Sequence, residues 1–125
     1  MTYKLIALDL DGTLKTSDNR ISPKTREALI ECQKRGMRVI LASGRPTPGL
    51  RHEAEELELA KYGGLLLSFN GARVYDITND KVIYEKVVDR QYALEIYDRA
   101  KQYGLAVMTY DGLNILTEDD DDQYV

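Results

Sequence analysis

The sequence is poor in the residues that most often build catalytic or metal sites. It has one cysteine, one histidine and no tryptophan. Cys32 therefore has no partner for an intrachain disulfide, and a zinc cluster based on cysteine would need more thiols. With His52 as the only histidine, a Ser–His–Asp or Cys–His catalytic set has almost no residues to draw on. We therefore expect any hydrolytic chemistry to use carboxylates, hydroxyls, lysines or a hard metal.

Long apolar runs are also missing, since none approaches the roughly 18–20 residues that cross a bilayer. The N-terminus has no charged stretch leading into an apolar signal region. We therefore expect a cytoplasmic protein with no membrane partner. At 125 residues, 43% hydrophobic and 30% charged, the sequence has the composition of an ordinary globular domain with its own core.

The negative charge is local. The formal net charge is −4, but five acids stand together at residues 118–122, and removing them would leave +1. No basic stripe is present either, so nucleic acid is not an expected partner. The acidic run itself is typical of a solvated linker or of an acid-rich helix start.

A strand, a helix and a second strand follow one another in the first part of the chain. Residues 3–8 are good strand formers, Ser22-Pro23 is a strong helix start, and Gly36 is a helix end. Residues 37–42 form a second apolar run rich in β-branched side chains. This βαβ order predicts a parallel sheet with a right-handed crossover, and hence an α/β fold.

Further elements change character near residue 80. A second helix beginning at Thr47-Pro48 and strands over 65–69 and 73–76 come before this point. A strand over 82–86 that pairs with 73–76, a helix over 89–103 and a hairpin around Asp111-Gly112 follow it. We therefore predict an α/β domain over residues 1–80 and the beginning of an α+β module over residues 81–125.

Polar residues follow the first two predicted strands. Asp9 and Asp11 come directly after the first strand, and Ser43 and Gly44 come after the second. Ligands of open α/β sheets bind outside the carboxyl ends of the strands, and residues i and i+2 of an extended chain project to the same side. The two carboxylates should therefore repel each other in one small space, where Mg²⁺ with a phosphate is the natural occupant.

These residue types are suited to phosphoryl transfer. A carboxylate can attack phosphorus to form an aspartyl-phosphate. A second carboxyl can donate a proton to the leaving alcohol and later activate water. The Ser43 hydroxyl and the Gly44 amide could hold the non-bridging phosphate oxygens, while a metal offsets charge during the transfer.

Three motifs carry a resemblance to a known family. Residues 9–14, DLDGTL, resemble the first motif (DxDGT) of the haloacid dehalogenase (HAD) superfamily, and residues 42–46, ASGRP, resemble its second motif. Residues 68–72, SFNGA, resemble the turn that leads from core to cap in the Cof-like sugar-phosphatase subgroup. The resemblance implies a parallel Rossmann-like HAD core, present in its N-terminal part, followed by the beginning of an α+β cap.

The resemblance also assigns roles. It implies that Asp9 is the nucleophile and a metal ligand, and that Asp11 is the acid/base and holds Mg²⁺ through its backbone carbonyl. Ser43 and the Gly44 amide would bind the substrate phosphate, with Arg45 and Asn70 in a supporting role on the same rim. The implied reaction is hydrolysis of small phosphate monoesters, among them sugar phosphates; the sequence indicates no oligomeric state.

Two features that the family leads us to expect are missing from this sequence. These are a lysine that neutralises the phosphate and an acidic Gly-Asp-x-x-x-Asp segment, both normally found after the cap. We therefore expect the chain to stop inside the cap.

The alternative is a truncated or non-catalytic HAD module that binds Mg²⁺ and phosphate weakly or only folds. A phosphoacceptor receiver domain is a third possibility, but residues 12–14 and 43–45 do not suit it. Asn70-Gly71 is interpreted as a turn.

Overall fold

The computed structural model describes residues 3–118. The first part of the chain is built on a five-stranded sheet whose strands have the same order in space as in the sequence. They are β1 Leu5–Asp9, β2 Arg38–Ala42, β3 Leu65–Ser68, β4 Arg73–Asp76 and β5 Lys81–Glu85. β1, β2 and β3 run parallel, whereas β4 and β5 pair antiparallel. The α/β class predicted from the βαβ pattern is confirmed, and the carboxyl ends of three parallel strands lie at one edge.

The chain divides into two compact units, one up to Lys86 and the other from Val87. The sequence predicted this boundary between residues 80 and 81, which is six residues earlier. The difference arises because β5 pairs with β4 and so belongs to the first sheet. The assignment of the two units to a core and a cap stays a prediction.

Helix α1, Pro23–Lys34, begins where the sequence predicted. The Ser22 hydroxyl accepts a hydrogen bond of 3.1 Å from the Thr25 backbone N–H, which satisfies one of the unpaired donors of the first turn. At its other end, the buried Gln33 side chain donates to the Leu57 carbonyl at 2.8 Å. This bond joins the C-terminal end of α1 to the buried chain at Leu57, 24 residues further along the sequence.

The single helix predicted to begin at Thr47-Pro48 is three separate elements. A 3₁₀ turn, Thr47–Leu50, is followed by α2, Arg51–Glu56, and by α3, Leu59–Tyr62. Glu58 separates the last two with a left-handed φ of 54°. Leu57 and Leu59 are both fully buried, and residues two apart on one helix do not share a face. The break therefore lets both leucines reach the core.

The core of the first unit consists mainly of leucines from every layer. Its fully buried side chains come from the turn after β1, from the sheet and from the helices on it: Leu10, Val39, Leu41, Leu50, Leu57, Leu59 and Leu66. Each buried leucine contributes roughly 1.5–3 kcal/mol by leaving water. The turn after β1 is thus anchored to the core through the fully buried Leu10.

The second unit contains one helix and one hairpin. Asp89 accepts a hydrogen bond from the Gln91 N–H before helix α4, Ala93–Gln102. Strands β6, Met108–Asp111, and β7, Asn114–Thr117, pair antiparallel, as predicted. Within the part of the chain that the structure describes, this unit buries none of its residues.

The acidic residues 119–122 lie outside the described residues, whereas Glu118 accepts a hydrogen bond of 2.8 Å from Lys101 of α4. Among residues 3–118, no helix combines the length and apolarity needed to cross a bilayer.

Candidate active site

Parallel pairing brings the ends of β1 and β2 side by side. Asp9 is the register partner of Ala42, so Ser43 is the next residue along the neighbouring strand. Asp9 and Ser43 both line a pocket of about 210 Å³ at the carboxyl edge of the sheet. The other lining residues come from the ends of the second and third strands: Ala42, Gly44, Leu67, Asn70 and Gly71. The juxtaposition of Asp9 and Ser43 expected from the strand order is therefore present.

Asp9 presents an exposed carboxylate to this pocket. It is the last residue of β1 and retains an extended backbone, with φ −73° and ψ 151°. Within residues 3–118 its carboxylate makes no hydrogen bond or ion pair with another side chain. Both oxygens are therefore available for a ligand.

Asp11 is placed differently from the expectation. In an extended chain Asp9 and Asp11 would point into one space, as expected from the sequence, but the residues after Asp9 form a tight turn. The Lys15 N–H donates to the Leu10 carbonyl at 2.9 Å, and Gly12 has a φ of 79°, which suits glycine. Asp11 does not line the pocket that contains Asp9. Strand alternation ends at Asp9, so it cannot predict where Asp11 points.

The Asp11 carboxylate is held by a guanidinium. Arg45 donates from Nη2 to Oδ1 at 2.6 Å and from Nε to Oδ2 at 3.1 Å. Such a two-point arrangement fixes the orientation of a carboxylate as well as its position. Arg45 was predicted to help bind substrate; the structure gives it Asp11 as a partner, which the sequence did not indicate.

Ser43 and Arg45 are joined through the backbone. The Arg45 N–H donates to the Ser43 hydroxyl oxygen at 3.2 Å. A serine hydroxyl has one proton to donate besides the lone pairs with which it accepts. Ser43 therefore keeps a donor for an anionic ligand while its oxygen is positioned by the loop.

The end of β3 completes the pocket and is strained. Phe69 and Asn70 follow this strand with left-handed φ values of 52° and 54°. Each such residue costs on the order of 1–3 kcal/mol, which the surroundings must offset. The Phe69 N–H donates to the Arg45 carbonyl at 3.0 Å, and the Asn70 N–H donates to the Ser43 carbonyl at 3.2 Å. These two bonds tie the third strand end to the second.

A buried hydroxyl pair supports the same loops. The Ser68 and Thr47 hydroxyl oxygens lie 2.8 Å apart, and both residues are buried. Since buried hydroxyls are costly without a partner, this bond fixes the end of β3 against the turn that follows Pro46.

Asn70, expected in a supporting role on this rim as well as in a turn, lines the pocket. Its amide lies against Gly44, where a Cβ built on the glycine would be 3.1 Å from the Asn70 Oδ1. Its position follows from the same strand geometry as the positions of Asp9 and Ser43. β3 is parallel to β2, so the residues after it share the same edge of the sheet.

No larger cluster of metal ligands lies nearby. Within residues 3–118, no three acidic, histidine or cysteine side chains are grouped so that they could hold a metal ion. Mg²⁺ is commonly bound by one or two carboxylates together with water and substrate phosphate. The exposed Asp9 carboxylate, which lines the pocket, fits that requirement.

Comparison with known proteins gives the same fold and a consistent chemistry. A family model described as haloacid dehalogenase-like hydrolase matches residues 6–125. The Bacillus subtilis (strain 168) protein YxeH is 29% identical over 119 residues, which are 95% of this chain and 44% of that protein. The 5-amino-6-(5-phospho-D-ribitylamino)uracil phosphatase YcsE of the same organism is 32% identical over 95 residues, covering 76% of this chain and 36% of that enzyme. The chain thus spans less than half the length of these curated relatives.

A solved structure is similar over almost the whole chain. The haloacid dehalogenase-like hydrolase from Bacteroides thetaiotaomicron superposes with a TM-score of 0.88 at 43% identity. The match covers 97% of this chain and 46% of that protein. The residues matched by the family model include both the DLDGTL and the ASGRP motifs. The chain belongs to the haloacid dehalogenase-like hydrolases.

Proposed function

We propose that the protein hydrolyses small phosphate monoesters through a phosphoryl group carried on Asp9. The observation that carries this proposal is the shared pocket of Asp9 and Ser43 at the ends of two adjacent parallel strands. Asp9 supplies a carboxylate with no side-chain partner among the described residues, and Ser43 supplies a hydroxyl donor beside it. Named phosphatases among the relatives support the same reaction class.

The reaction proceeds in two displacements. In the first, an Asp9 carboxylate oxygen forms a bond to phosphorus while the bond from phosphorus to the ester oxygen breaks. Asp11 gives a proton to the departing alcohol. In the second, Asp11 takes a proton from water, whose oxygen bonds to phosphorus as the Asp9–phosphorus bond breaks. Orthophosphate leaves, and both carboxyl groups return to their starting state.

The chain's other residues hold the phosphate and position the acid. The Ser43 hydroxyl and the Gly44 backbone N–H donate hydrogen bonds to the non-bridging oxygens of the phosphate, where negative charge is concentrated during transfer. Arg45 occupies both oxygens of Asp11 in the structure. The acid/base role therefore requires Arg45 to leave one of these oxygens when substrate binds, and Arg45 acts as a positioning residue.

Mg²⁺ is the cofactor that fits this arrangement. The Asp9 carboxylate and the backbone carbonyl of Asp11 would hold it, in keeping with the preference of Mg²⁺ for oxygen ligands and retained water. Bound Mg²⁺ offsets the negative charge of the phosphate beside the carboxylates.

Sugar or polyol phosphates are the substrate class that we favour. The support comes from the resemblance of residues 68–72 to the Cof-like subgroup and from the relative YcsE, which is named for a substrate with a phosphorylated ribityl chain. Substrates of this kind carry a terminal phosphate that the pocket of about 210 Å³ can accept. The cytoplasmic location stays a prediction from the sequence.

Turnover of an aryl phosphate with Mg²⁺ tests the proposal. Asp9→Asn should lower kcat by more than about a thousandfold, because the amide cannot act as the nucleophile. Borohydride reduction during turnover should convert phosphorylated Asp9 to homoserine, which mass spectrometry of the peptide detects. Asp18→Asn, in an exposed turn outside the pocket, is the control and should keep wild-type turnover. Full activity in Asp9→Asn would overturn the mechanism.

A second candidate is a phosphate-binding module without turnover. It is favoured because Arg45 occupies both carboxylate oxygens of Asp11, the acid/base candidate, in the structure. The same assay separates the two. Binding of orthophosphate with Mg²⁺, but no turnover by the 125-residue chain, would select the module, whereas turnover sensitive to Asp9→Asn would exclude it.

A further inference from the structure

We propose that the side-chain amide of Asn70 is a phosphate-binding group of this site, donating from Nδ2 to a non-bridging oxygen of the phosphate at Asp9. The inference rests on the proposed function, since it concerns the same phosphate. It assigns a role to a residue that its local sequence, Asn-Gly, explains equally well as a turn.

The backbone holds Asn70 at the pocket in a conformation that local preferences do not favour. Phe69 and Asn70 are consecutive left-handed residues, and a bulky residue such as Phe69 rarely adopts a positive φ. Their N–H groups donate to the carbonyls of Arg45 and Ser43. The turn is therefore set by its bonds to the neighbouring loop, and these bonds direct Asn70 towards the residues that follow β2.

The side chain of Asn70 has polar groups to spare. It is exposed and lines the pocket with Asp9 and Ser43. Within residues 3–118 its amide makes no side-chain hydrogen bond. An amide of this kind offers two N–H donors and one acceptor. The donors suit a phosphate dianion, whereas Asp9 and the carbonyl oxygens on the same rim are acceptors.

Gly44 provides a second, independent observation. A Cβ at this position would lie 3.1 Å from Asn70 Oδ1 and 3.5 Å from Nδ2. A side chain on residue 44 would therefore push the amide out of its present place. Gly44 and Asn70 line the same pocket, and the absence of a side chain at Gly44 leaves room there for the Asn70 amide.

Glycine substitution separates the role of the side chain from backbone strain. Asn70→Gly removes the amide but accepts the left-handed backbone without cost. Asn19→Gly is the matched control, because Asn19 also has a left-handed φ, of 60°, and lies outside the pocket. Asn70→Asp keeps the shape and replaces both donors by an oxygen that repels phosphate.

The experiment measures orthophosphate binding with Mg²⁺ by calorimetry on the full chain. We expect Asn70→Gly to raise Kd about ten- to a hundredfold, as loss of a hydrogen bond to a charged group does, and Asn70→Asp to raise it further. Asn19→Gly should leave Kd unchanged, and both glycine variants should unfold at or above the wild-type urea midpoint. In ¹⁵N spectra of the wild type, phosphate should shift the Asn70 side-chain NH₂ pair.

A cycle with Gly44 completes the test. Gly44→Ala should weaken phosphate binding in the wild type and have a smaller effect in the Asn70→Gly background, where the added methyl no longer meets the amide. If the wild type binds orthophosphate and Asn70→Gly binds it with the same Kd, this inference alone is overturned. A wild-type chain that binds no orthophosphate would overturn the proposed function, and this inference with it.

Discussion

Lys15 and Glu53 form a buried ion pair between the turn after β1 and helix α2. The Lys15 Nζ lies 2.5 Å from the Glu53 Oε1, and the two side chains are only 7% and 4% exposed. Lys15 directly follows the turn that carries Asp11, and Glu53 is 38 residues further along the chain. The pair therefore fixes the candidate active-site turn against a helix that contributes no residue to the pocket.

Removal of either partner alone should destabilise the protein strongly. Lys15→Met leaves a buried carboxylate uncompensated, and Glu53→Leu leaves a buried ammonium, so each should lower the free energy of unfolding by about 3–5 kcal/mol. Glu53 Oε2 already has no hydrogen-bond partner, which adds to the cost of losing Lys15. The double variant should lose much less than the sum of the single losses, as measured by urea unfolding.

The exposed pair Lys61–Glu58, 2.9 Å apart, provides the control. Lys61→Met should cost less than about 1 kcal/mol, because exposed ion pairs contribute little. Equal losses for Lys15→Met and Lys61→Met would contradict the importance of burial for the Lys15–Glu53 pair.

The same pair should make stability depend on pH. Burial raises the pKa of the Glu53 carboxyl, but the hydrogen bond from Lys15 and the nearby positive charges together lower it by more, so the pKa lies below its ordinary 4.5. The stabilisation is thus complete above that ordinary value and is lost as the pH falls through the folded-state pKa. The free energy of unfolding should decline less steeply below pH 4.5 in Glu53→Gln than in the wild type.

Urea titrations at several acidic pH values measure this difference. Hydrogen bonds from Thr16 and Arg20 lower the pKa of Asp18 to about 2. The contribution of Asp18 to the pH dependence of the free energy of unfolding is the same in both proteins. It therefore cancels when the two slopes are compared. Identical slopes for Glu53→Gln and the wild type would show that Glu53 titrates alike in the folded and unfolded states.

Arg45 should matter more for turnover than for stability. The Arg45 and Asp11 side chains are 37% and 54% exposed, so the pair contributes less than about 1 kcal/mol to folding. Lysine cannot bridge both carboxylate oxygens, and we expect Arg45→Lys to lower kcat by about tenfold and Arg45→Met by up to a hundredfold, within the range for misplaced acid/base groups.

Aryl-phosphate kinetics together with urea unfolding measure both effects. Arg35→Met is the matched control, because Arg35 forms an exposed ion pair with Glu31 on α1, away from the pocket. It should change neither kcat nor KM. Wild-type kcat in Arg45→Met would remove Arg45 from the mechanism, and a rise in KM alone would make it a substrate-binding residue instead.

Strand ends were the most predictable part of the site. Apolar runs defined β1 and β2, and the helix start at Ser22 marked the crossover between them. Parallel pairing then places Asp9 next to the residues that precede Ser43, whatever the details of packing. The family motifs contain the same information, because they consist of the residues that follow each strand.

Contacts between distant side chains were not predictable. Arg45 reaches Asp11 across 34 residues and Lys15 reaches Glu53 across 38, and neither distance follows from a helix or strand period. The break at Glu58 was missed for a related reason. It lets Leu57 and Leu59 enter one core, a demand of the folded protein that helix propensity does not contain.

Gly64 should tolerate no side chain, although its backbone is compatible with one. A Cβ at this position would lie 2.7 Å from the Leu59 Cβ and 3.1 Å from the Val39 carbonyl oxygen. Alanine normally stabilises by reducing the entropy of the unfolded chain, but overpacking of this kind costs about 1–3 kcal/mol. Gly64→Ala should therefore lower the urea midpoint. Gly49→Ala is the control, since its Cβ would meet side-chain atoms of Arg45 and Pro46 at ordinary contact distances, the nearest at 3.4 Å, and the midpoint should be unchanged or slightly raised. If Gly64→Ala were as stable as Gly49→Ala, α3 would have to move away from β2 and β3 at little cost, and the close packing of Leu59 would not be a constraint on this fold.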